Sequence, residues 1–386
     1  MNSITKQKPK GPFDLPKLPA KINYADLVEH LSKAHSSLAR LDEMLKQTGI
    51  HGLIESTFLT QEAVLSSKIE GTRVTLEEVL KQEAEEGKKI TEKDEKTRDI
   101  REVINYREAL QEGTKIIDEG GMLAENNVKQ LHRTLLRSVR GRTRAPGEFR
   151  RGQVYIAPPG TPITEARYIP PPPATIVDLY SNLDRYLNNR DSERDPLVQI
   201  AVSHYQFEAI HPFMDGNGRV GRLLIPLFLY ERKIIARPLM YVSKYFEEHR
   251  RDYYDLLADV SYKDAWTPWI RFFLNGLCEQ AQDAIDLGRE IVALRENIYK
   301  KLRKYNSASS INLLDAIFKQ PYFTPTLIRS ASGIRTQQTV LTLITKFLAD
   351  GILADMTPTR QRNKIYVFKP LAELLDGTSR KKEKQN

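Results

Sequence analysis

The chain has 386 residues, of which 40% are apolar and 28% charged, as in an ordinary folded protein and unlike a disordered one. Its single cysteine, Cys278, excludes a disulfide framework and a cysteine-based zinc site. No run of 18 uncharged apolar residues occurs, and the N-terminus has no apolar signal-peptide core. We therefore expect a cytoplasmic protein of two or three domains with no membrane contact.

The net charge of +9 is concentrated in the C-terminal quarter. Residues 300–386 contain 16 Lys and Arg against six Asp and Glu, so the remainder is close to neutral. A basic region beside a neutral one indicates an acidic or nucleic-acid partner, and a soluble surface with a lysine-rich tail is the alternative explanation.

The N-terminal part is predicted to be an arm followed by helices. Residues 1–22 are rich in Lys and Pro and lack periodicity, which indicates a flexible arm. From 23 to 115, apolar residues recur at three- and four-residue steps, which predicts amphipathic helices. One helix is expected to stop at Gly71, and Thr75 with Glu78 forms a capping-box pair that opens the next.

Residues 116–290 are predicted to form a second helical region with one β segment. Segment 141–173 is rich in Gly, Pro and Arg and contains the β-like run Gln153–Ala157, so we interpret it as a β-hairpin projecting from a helical body. Helices are expected here at 124–139, 174–188, 196–210, 217–232, 243–258 and about 265–304, after one at 99–111 in the preceding region.

The C-terminal part is predicted to be a separate domain. Residues 300–372 contain three helical patterns, one of which begins at Thr324-Pro325 in cap-then-proline order. Two short strands, around Leu353 and at 366–368, are joined by the basic loop 360–363. Three helices with a β-wing are typical of a winged-helix domain, and a basic tail follows at 373–386. The predicted fold class is therefore mostly α, a helical bundle with a β-hairpin plus a C-terminal winged-helix domain.

The segment that carries chemistry reads HPFMDGNGRVGR, from His211 to Arg222, between two predicted helices. Its glycines free the backbone to turn N–H groups inward, and the next helix adds its positive N-terminus, which together suit a phosphate group. Arg219 lies three residues from Arg222 on one face of that helix start, where both charges oppose the helix dipole unless a polyphosphate is bound. Asp215 offers the hard oxygen ligand that Mg²⁺ prefers, and His211 can accept a hydroxyl proton near neutral pH.

Two other phosphate-binding motifs are close to this segment and are rejected. Gly216, Gly218 and Gly221 match the dinucleotide fingerprint, but that fingerprint needs a preceding strand and an acidic residue about twenty positions later. Here a helix pattern precedes, and residues 236–241 contain no acidic residue. A P-loop would need Lys and Ser or Thr where Arg222 and Leu223 stand. A glycine-rich turn with a core histidine would not require the carboxylate and the two arginines.

The segment resembles the signature of the Fic family, HxFx[D/E]GNGRxxR, and matches it at every defined position. The resemblance extends over most of the chain. Residues of about 125–285 resemble the helical catalytic core of the family, residues 150–157 resemble its flap hairpin, and residues 300–370 resemble the winged helix that follows the core in many bacterial members.

This resemblance implies that the chain transfers AMP from ATP to a Ser, Thr or Tyr hydroxyl of a target protein, and to itself. It implies that His211 is the general base and that Asp215 holds Mg²⁺ against the phosphates. Gly218 favours AMP transfer, because Doc-like relatives, which phosphorylate, have Lys there. The ATP-binding residues that it implies are His211, Gly216, Asn217, Gly218, Arg219, Val220, Gly221 and Arg222. Tyr254 is expected to stack on the adenine, with a core position as the alternative.

A second motif, Ser66 to Gly71, resembles the inhibitory pattern of the family, [S/T]xxxE[G/N], with Ser66 and Glu70 as its fixed residues. Glu70 at the end of its helix can pair bidentately with Arg222, which is then unavailable to the γ-phosphate. Because the motif precedes the core, the resemblance implies inhibition from within the chain. An ordinary exposed helix end is the alternative.

The hairpin is predicted to dock the target protein. Its residues Val154, Tyr155, Ile156 and Ala157 offer an edge to which a target loop can add as a strand, with Arg150 and Arg151 beside it. A purely structural hairpin is the alternative.

Two other functions remain open at this stage. A DNA-binding regulator would use the basic winged helix as its main part, and an AMP-removing enzyme would use Glu70 to orient water. The predicted partners are target-protein hydroxyls, a second copy of the chain in a homodimer, and DNA or a protein at the winged helix.

Overall fold

The structure, a computed structural model, describes residues 12–48, 51–85, 94–137, 144–157, 160–190, 194–305 and 307–375. Part of the predicted arm (1–11), five residues of the segment predicted as a hairpin (141–143 and 158–159) and most of the predicted tail (376–386) lie outside the described residues.

The described chain is mostly helical, as predicted. The helices are α1 (Val28–Thr48), α2 (His51–Ile69), α3 (Leu76–Ala84), α4 (Glu95–Asp118), α5 (Glu125–Leu135), α6 (Ile176–Asn188), α7 (Pro196–Ile210), α8 (Asn217–Glu231), α9 (Ser243–Glu248), α10 (Arg250–Lys263), α11 (Trp266–Leu302), α12 (Ala308–Lys319), α13 (Pro325–Ser332), α14 (Gln337–Ala349) and α15 (Lys369–Leu375). The strands are β1 (Tyr322–Phe323), β2 (Ala354–Asp355) and β3 (Tyr366–Val367). Among the described helices, none is long and apolar enough to cross a membrane.

The chain forms two compact units, each assembled from three separate segments. Unit 1 comprises Met1–Ser37, Asn105–Pro238 and Val242–Glu279. Unit 2 comprises Leu38–Ile104, Leu239–Tyr241 and Gln280–Asn386. The linear domain boundaries expected from the sequence stay a prediction.

The core of unit 1 is built around α7. Asp195 caps this helix by accepting a hydrogen bond from the Leu197 N–H at 2.8 Å, and Pro196 occupies its first turn. Because α7 is apolar on nearly every face, almost all of its residues are buried, and it packs against α6, α8 and α10. A helix enclosed in this way holds the loop that follows it in one place.

The expected flexible arm needs correction over its described part. Leu15 and Leu18 are buried, and the Phe13 N–H donates to the Ile169 oxygen at 2.9 Å. Asn182 exchanges two hydrogen bonds with the backbone of Leu18, at 2.7 and 3.0 Å. These apolar residues have no helical spacing, yet they supply enough buried surface to fix an extended segment on unit 1.

In unit 2, α2 packs against α12, and α3 contacts β1. The helix α12 also packs against α13 and α14, and the three strands form an antiparallel sheet in the order β1-β3-β2. Phe323 pairs with Tyr366, which in turn pairs with Asp355. Three helices and a small sheet are thus present, with the loop between β2 and β3 in the position expected for a wing. The assignment to the winged-helix class remains our interpretation.

Several local expectations are met or revised. The capping box at Thr75 and Glu78 is present, and Thr324 caps α13 ahead of Pro325. The single helix expected at 243–258 is two helices, because His249 leaves the helical conformation between α9 and α10. The strand β1 was not expected, since two residues are too few to show an alternating pattern.

Candidate active site

The predicted catalytic loop begins where α7 ends. His211 is the C-cap of α7 and has φ and ψ of 50° and 60°, in the left-handed region that a residue with a β-carbon seldom adopts. Its N–H still donates to the Phe207 oxygen at 3.0 Å, so the residue is fixed to the last turn of a buried helix. A strained conformation that the surroundings hold in place is typical of functional positions.

One hydrogen bond determines which ring nitrogen of His211 carries the proton. The Nδ1 atom lies 3.3 Å from the backbone oxygen of Glu208. A carbonyl oxygen can only accept, so Nδ1 is the donor, and Nε2 of the neutral imidazole is the atom with a lone pair. The turn of α7 therefore sets the tautomer that a general base needs.

Arg150 joins this turn to the predicted hairpin. The residue is 2% exposed, and its side chain donates to the oxygens of His211 (2.8 Å), Gly152 (3.1 Å), Pro171 (2.5 Å) and Ile210 (3.4 Å). Burial lowers the pKa of Arg150 to about 10, so it stays charged at neutral pH. The sequence placed Arg150 only beside the hairpin, and no pattern revealed that three of its four partners are carbonyl groups 21 to 61 residues away.

The backbone between Phe213 and Asn217 is closed by the Asn217 side chain. Its Oδ1 accepts from the Phe213 N–H at 2.8 Å, and its Nδ2 donates to the Phe213 oxygen at 2.9 Å. Both polar ends of this buried amide therefore bind the loop itself. If Asn217 contacts a nucleotide, as the sequence predicts, its backbone N–H and the second hydrogen of its Nδ2 remain for that contact.

Gly216 allows the chain to enter α8. It has a φ of +77°, where a side chain would be strained, and it precedes the first residue of α8. Its N–H donates to the Asp215 Oδ1 at 2.6 Å. Asp215 keeps 40% of its side chain exposed, and Arg219 lies 3.6 Å from the same oxygen.

His132 supports this loop from α5. Its Nδ1 accepts from the Gly147 N–H at 2.8 Å, so its Nε2 is protonated and donates to the Asp215 oxygen at 3.0 Å. Its ring stacks on Phe213 with centroids 3.8 Å apart. Burial lowers the pKa of His132 to about 4, which keeps it neutral in this bridging role.

The two arginines of the motif are buried at the start of α8. Arg219 is 4% exposed and Arg222 is 1% exposed. A buried guanidinium stays charged, so this helix start concentrates positive charge in a region of low dielectric. Gly218 lies between them and the loop, in the first turn of α8.

Two other predicted ATP-binding residues have packing roles in unit 1. Val220 is 1% exposed in the core. At Gly221, a β-carbon would lie 2.3 Å from the Glu208 Oε1 and 3.2 Å from the Phe207 ring. The missing side chain therefore lets α8 approach α7, and the predicted nucleotide contacts of these two residues stay predictions.

The expected β-hairpin is reduced to one β-bridge between Ile156 and Tyr168. The Ile156 N–H donates to the Tyr168 oxygen, and the Arg167 N–H donates to the Ile156 oxygen, both at 2.8 Å. Because residues alternate along an extended segment, the N–H and C=O groups of Tyr155 and Ala157 point to the other edge. Tyr155 is exposed, while Val154, Ile156 and Ala157 are half-buried.

Tyr254 lines a cavity beside the bridge and the catalytic loop. The cavity is open to solvent. The Arg167 guanidinium lies 5.6 Å from the centre of the Tyr254 ring. Further lining residues come from the bridge, α7 and α10: Ile156, Tyr168, Tyr205, Glu208, Leu257 and Ser261.

The predicted inhibitory motif lies at the end of α2 in unit 2. Ser66 is buried, and Glu70 is exposed directly after the last helical residue. Gly71 has a φ of +100° and donates to the Lys68 oxygen, while Thr72 donates to the Ser67 oxygen at 3.2 Å, so the helix ends in a Schellman motif. Gly71 thus ends the helix as predicted. The pairing of Glu70 with Arg222 stays a prediction.

Family models match both parts of the chain that the motifs come from. Residues 28–115 match the model described as Fic/DOC family N-terminal, and residues 122–229 match the model described as Fic/DOC family. Together they cover just over half of the sequence. The chain belongs to the Fic/DOC family.

Curated relatives of this Fic protein include insect enzymes named protein adenylyltransferase Fic. The one from Culex quinquefasciatus is 30% identical over 268 residues, which is 65% of this chain and 47% of the relative. The one from Drosophila melanogaster is 33% identical over 150 residues, 39% of this chain and 27% of the relative. The chain thus spans about half of the first relative and about a quarter of the second.

Solved structures share the fold. A Fic family protein from Desulfovibrio desulfuricans superposes with a TM-score of 0.58 and 22% identity, over 91% of this chain and 98% of the other. Fic-1 from C. elegans gives a TM-score of 0.51 and 22% identity, over 68% of this chain and 72% of the other. The Fic fold predicted from the motif is confirmed.

Proposed function

We propose that this chain is a protein adenylyltransferase, which transfers AMP from ATP to a Ser, Thr or Tyr hydroxyl of a target protein and releases pyrophosphate. The observation that carries the proposal is the hydrogen bond from the His211 Nδ1 to the Glu208 oxygen. It leaves Nε2 as the proton acceptor at the start of a glycine-containing loop. The shared name of the insect relatives supports the same activity.

In this proposal His211 accepts the proton of the target hydroxyl while the hydroxyl oxygen attacks the α-phosphorus. The bond between the α-phosphorus and the bridging oxygen breaks, and pyrophosphate leaves with its electrons. A positioned base of this kind contributes about 10²–10⁴-fold. Because His211 is fixed by its own backbone and by Arg150, little reorganisation is needed before proton transfer.

The polyphosphate is proposed to bind at the start of α8. The backbone N–H groups of Asn217 and Gly218 lie where the helix dipole is positive, and that of Gly216 donates to Asp215 beside them. Arg219 and Arg222 add two buried charges in the same turn. These groups stabilise the negative charge that moves to the leaving pyrophosphate.

Asp215 fits the role of a Mg²⁺ ligand. Its carboxylate is part-exposed, and no cluster of three or more potential metal-binding side chains occurs in the described parts of the chain. Mg²⁺ commonly takes one or two carboxylates and completes its shell with phosphate oxygens and water. A bound Mg²⁺ would neutralise phosphate charge, and Asp215 would hold it.

The adenine is proposed to bind in the cavity lined by Tyr254. Three tyrosines line this largely apolar space, and a planar base can stack on such rings. The target segment is proposed to add to the outer edge of Tyr155 and Ala157 through main-chain hydrogen bonds. That mode demands little of the target sequence, so one chain could modify several sites.

Labelled ATP tests the reaction. We expect label at the α-phosphate to appear on protein in the presence of Mg²⁺ and cell extract, and label at the γ-phosphate to leave in pyrophosphate. His211→Ala should abolish incorporation and keep ATP affinity within a few-fold, while His249→Ala, outside the loop, should retain incorporation. Transfer of the γ-label, or full activity of His211→Ala, would contradict the proposal.

A further inference from the structure

The helix α14 presents one face that the core of its own domain does not use. Val340, Leu343, Ile344 and Phe347 point into the core and are buried. The opposite face is exposed and almost entirely polar, and consists of Gln338, Thr339, Leu341, Thr342, Thr345 and Lys346. A surface helix with one buried stripe is ordinary. The exposed face of α14 therefore offers amide and hydroxyl groups for hydrogen bonds and has no apolar patch.

Three exposed arginines lie on α13, in the turn before α14 and in the loop between β2 and β3. They are Arg329, Arg335 and Arg362, in that order. None of these three forms an ion pair with another described residue. Arg360 of the same loop is already paired, since its Nη1 lies 3.1 Å from the Glu85 Oε1.

The acidic residues of this domain lie outside the elements that carry the face. Residues 307–375 contain only four, and each has a basic partner. Asp315 pairs with Arg295 at 2.8 Å, Asp350 with Lys304 at 2.7 Å, Asp355 with Lys364 at 2.7 Å, and Glu373 with Lys369 at 3.6 Å. Neither α13, α14 nor the loop 356–364 contains Asp or Glu. The face is therefore positive without local compensation.

We propose that this face binds double-stranded DNA, with α14 in the major groove. The major groove is about 12 Å wide and admits one α-helix, whereas the major groove of an RNA duplex is too narrow for side chains to read. Arg335 and Arg362 contact phosphates on either side, and Gln338 reads a base edge near the start of the helix. A protein-binding face would instead need an apolar centre, and Leu341 is the one large apolar residue exposed on α14.

The threonines of α14 are prepared to act as acceptors. Thr342 donates its hydroxyl to the Gln338 oxygen at 2.9 Å, and Thr345 donates to the Leu341 oxygen at 3.0 Å. Their oxygen lone pairs remain directed to solvent. Together with the Gln338 amide, which both donates and accepts, they can distinguish base pairs by the donors and acceptors of the groove.

Binding of random-sequence duplexes to the full chain, followed by fluorescence anisotropy from about 50 to about 200 mM salt, tests the phosphate contacts. We expect Arg335→Ala and Arg362→Ala each to make the slope of log affinity against log salt shallower by about one. Lys319→Ala removes the same charge from an exposed site outside the face and should leave the slope unchanged. Residues 376–386 are present in every protein compared, so their contribution cancels.

Selection from the same duplex pool tests base reading. The full chain should enrich a preferred sequence, and Gln338→Ala should lose about 5- to 150-fold of that preference while it keeps the salt slope. The proposal is wrong if the folded chain fails to bind DNA at about 50 mM salt. It is also wrong if both arginine variants bind like the wild type, or if a protein binds the face and DNA does not. His211→Ala should bind DNA normally, so failure of AMP transfer leaves this test intact.

Discussion

At the scale of single residues, the catalytic loop is held mainly by side chains that bind backbone atoms. Arg150, His132 and Asn217 each connect two or more points of the chain in this way. Such contacts satisfy buried carbonyl and N–H groups that would otherwise cost about 1–3 kcal/mol each. The position of His211 therefore depends on side chains that bind the backbone around its loop.

The neighbouring pair Arg150 and Arg151 allows a direct test of this support. Arg150→Met should lower the free energy of unfolding by about 3–5 kcal/mol, because it leaves several buried carbonyl oxygens without donors. The Arg151 side chain is 89% exposed and forms an ion pair with Glu148, so Arg151→Met should change the free energy of unfolding by less than about 0.5 kcal/mol. Urea denaturation of both variants measures the difference, and equal effects would remove the structural role of Arg150.

The predicted inhibition by Glu70 also depends on single residues. Glu70→Gly should raise AMP incorporation at least about tenfold, a change that needs only ~1.4 kcal/mol. Adding Arg222→Ala should return incorporation to a low level, and Ser66→Ala should activate less than Glu70→Gly. Incorporation of α-labelled ATP is the measurement.

Glu119 provides the matched control for this prediction. It also follows the last residue of a helix, α4, and precedes a glycine with positive φ, Gly120 at +84°. Glu119→Gly should therefore reproduce the backbone effect of Glu70→Gly without its effect on activity. If both variants are equally active, or if Glu70→Gly matches the wild type at saturating ATP, the inhibitory role of the α2 terminus is wrong.

At the scale of elements, the sequence predicts helices well where their ends carry chemical signals. The capping box at Thr75 and the Thr324-Pro325 start appear as expected, because the side-chain oxygen that caps a helix is visible in the sequence. The hairpin and the strand β1 are harder to predict from the sequence, since their hydrogen bonds join residues that are distant in the chain. The motif located the loop from His211 to Arg222 in the sequence. The contacts of Arg150 and Glu208 with this loop became visible only in the folded structure.

The close contact of α7 and α8 gives an element-scale prediction. Alanine normally stabilises a helix by up to about 1 kcal/mol relative to glycine. At position 221 this gain should be lost, because the new β-carbon would lie 2.3 Å from the Glu208 Oε1 and the carboxylate, the end of a flexible side chain, would have to move.

A double-mutant cycle tests whether the effect of Gly221→Ala comes from overlap with the Glu208 side chain. In a Glu208→Ala background, Gly221→Ala should become neutral or stabilising, apart from a small residual contact with the Phe207 ring. Free energies of unfolding for the four proteins provide the coupling. If Gly221→Ala changes the free energy of unfolding equally in both backgrounds, contact with Glu208 is not the reason for a glycine at position 221.

At the scale of the whole molecule, two buried histidines should make stability depend on pH. Burial lowers the pKa of His132 to about 4 and that of His204 to about 3, from an ordinary value near 6.5. The unfolded chain then binds more protons than the folded chain below about pH 6.5, so stability falls as the pH falls. Each histidine should remove about 2 kcal/mol between pH 7.5 and pH 5.

Urea titrations at these two pH values measure the loss. His132→Gln removes one of the two titrating groups. Between pH 7.5 and pH 5, the free energy of unfolding of this variant should therefore fall by about 2 kcal/mol less than that of the wild type. The same fall in both proteins would show that other groups cause the pH dependence.

The interleaving of the two units has a consequence for the order in which the chain is made. Every residue from Asn105 to Glu279 that surrounds the catalytic loop in unit 1 leaves the ribosome before α12 does. The helix α2 emerges early, yet its packing partner α12 follows almost 240 residues later. At about 5–20 residues per second, that delay is roughly 12–50 s. The nascent chain therefore completes the surroundings of His211 while α2, the helix directly before Glu70, still lacks its packing partner α12.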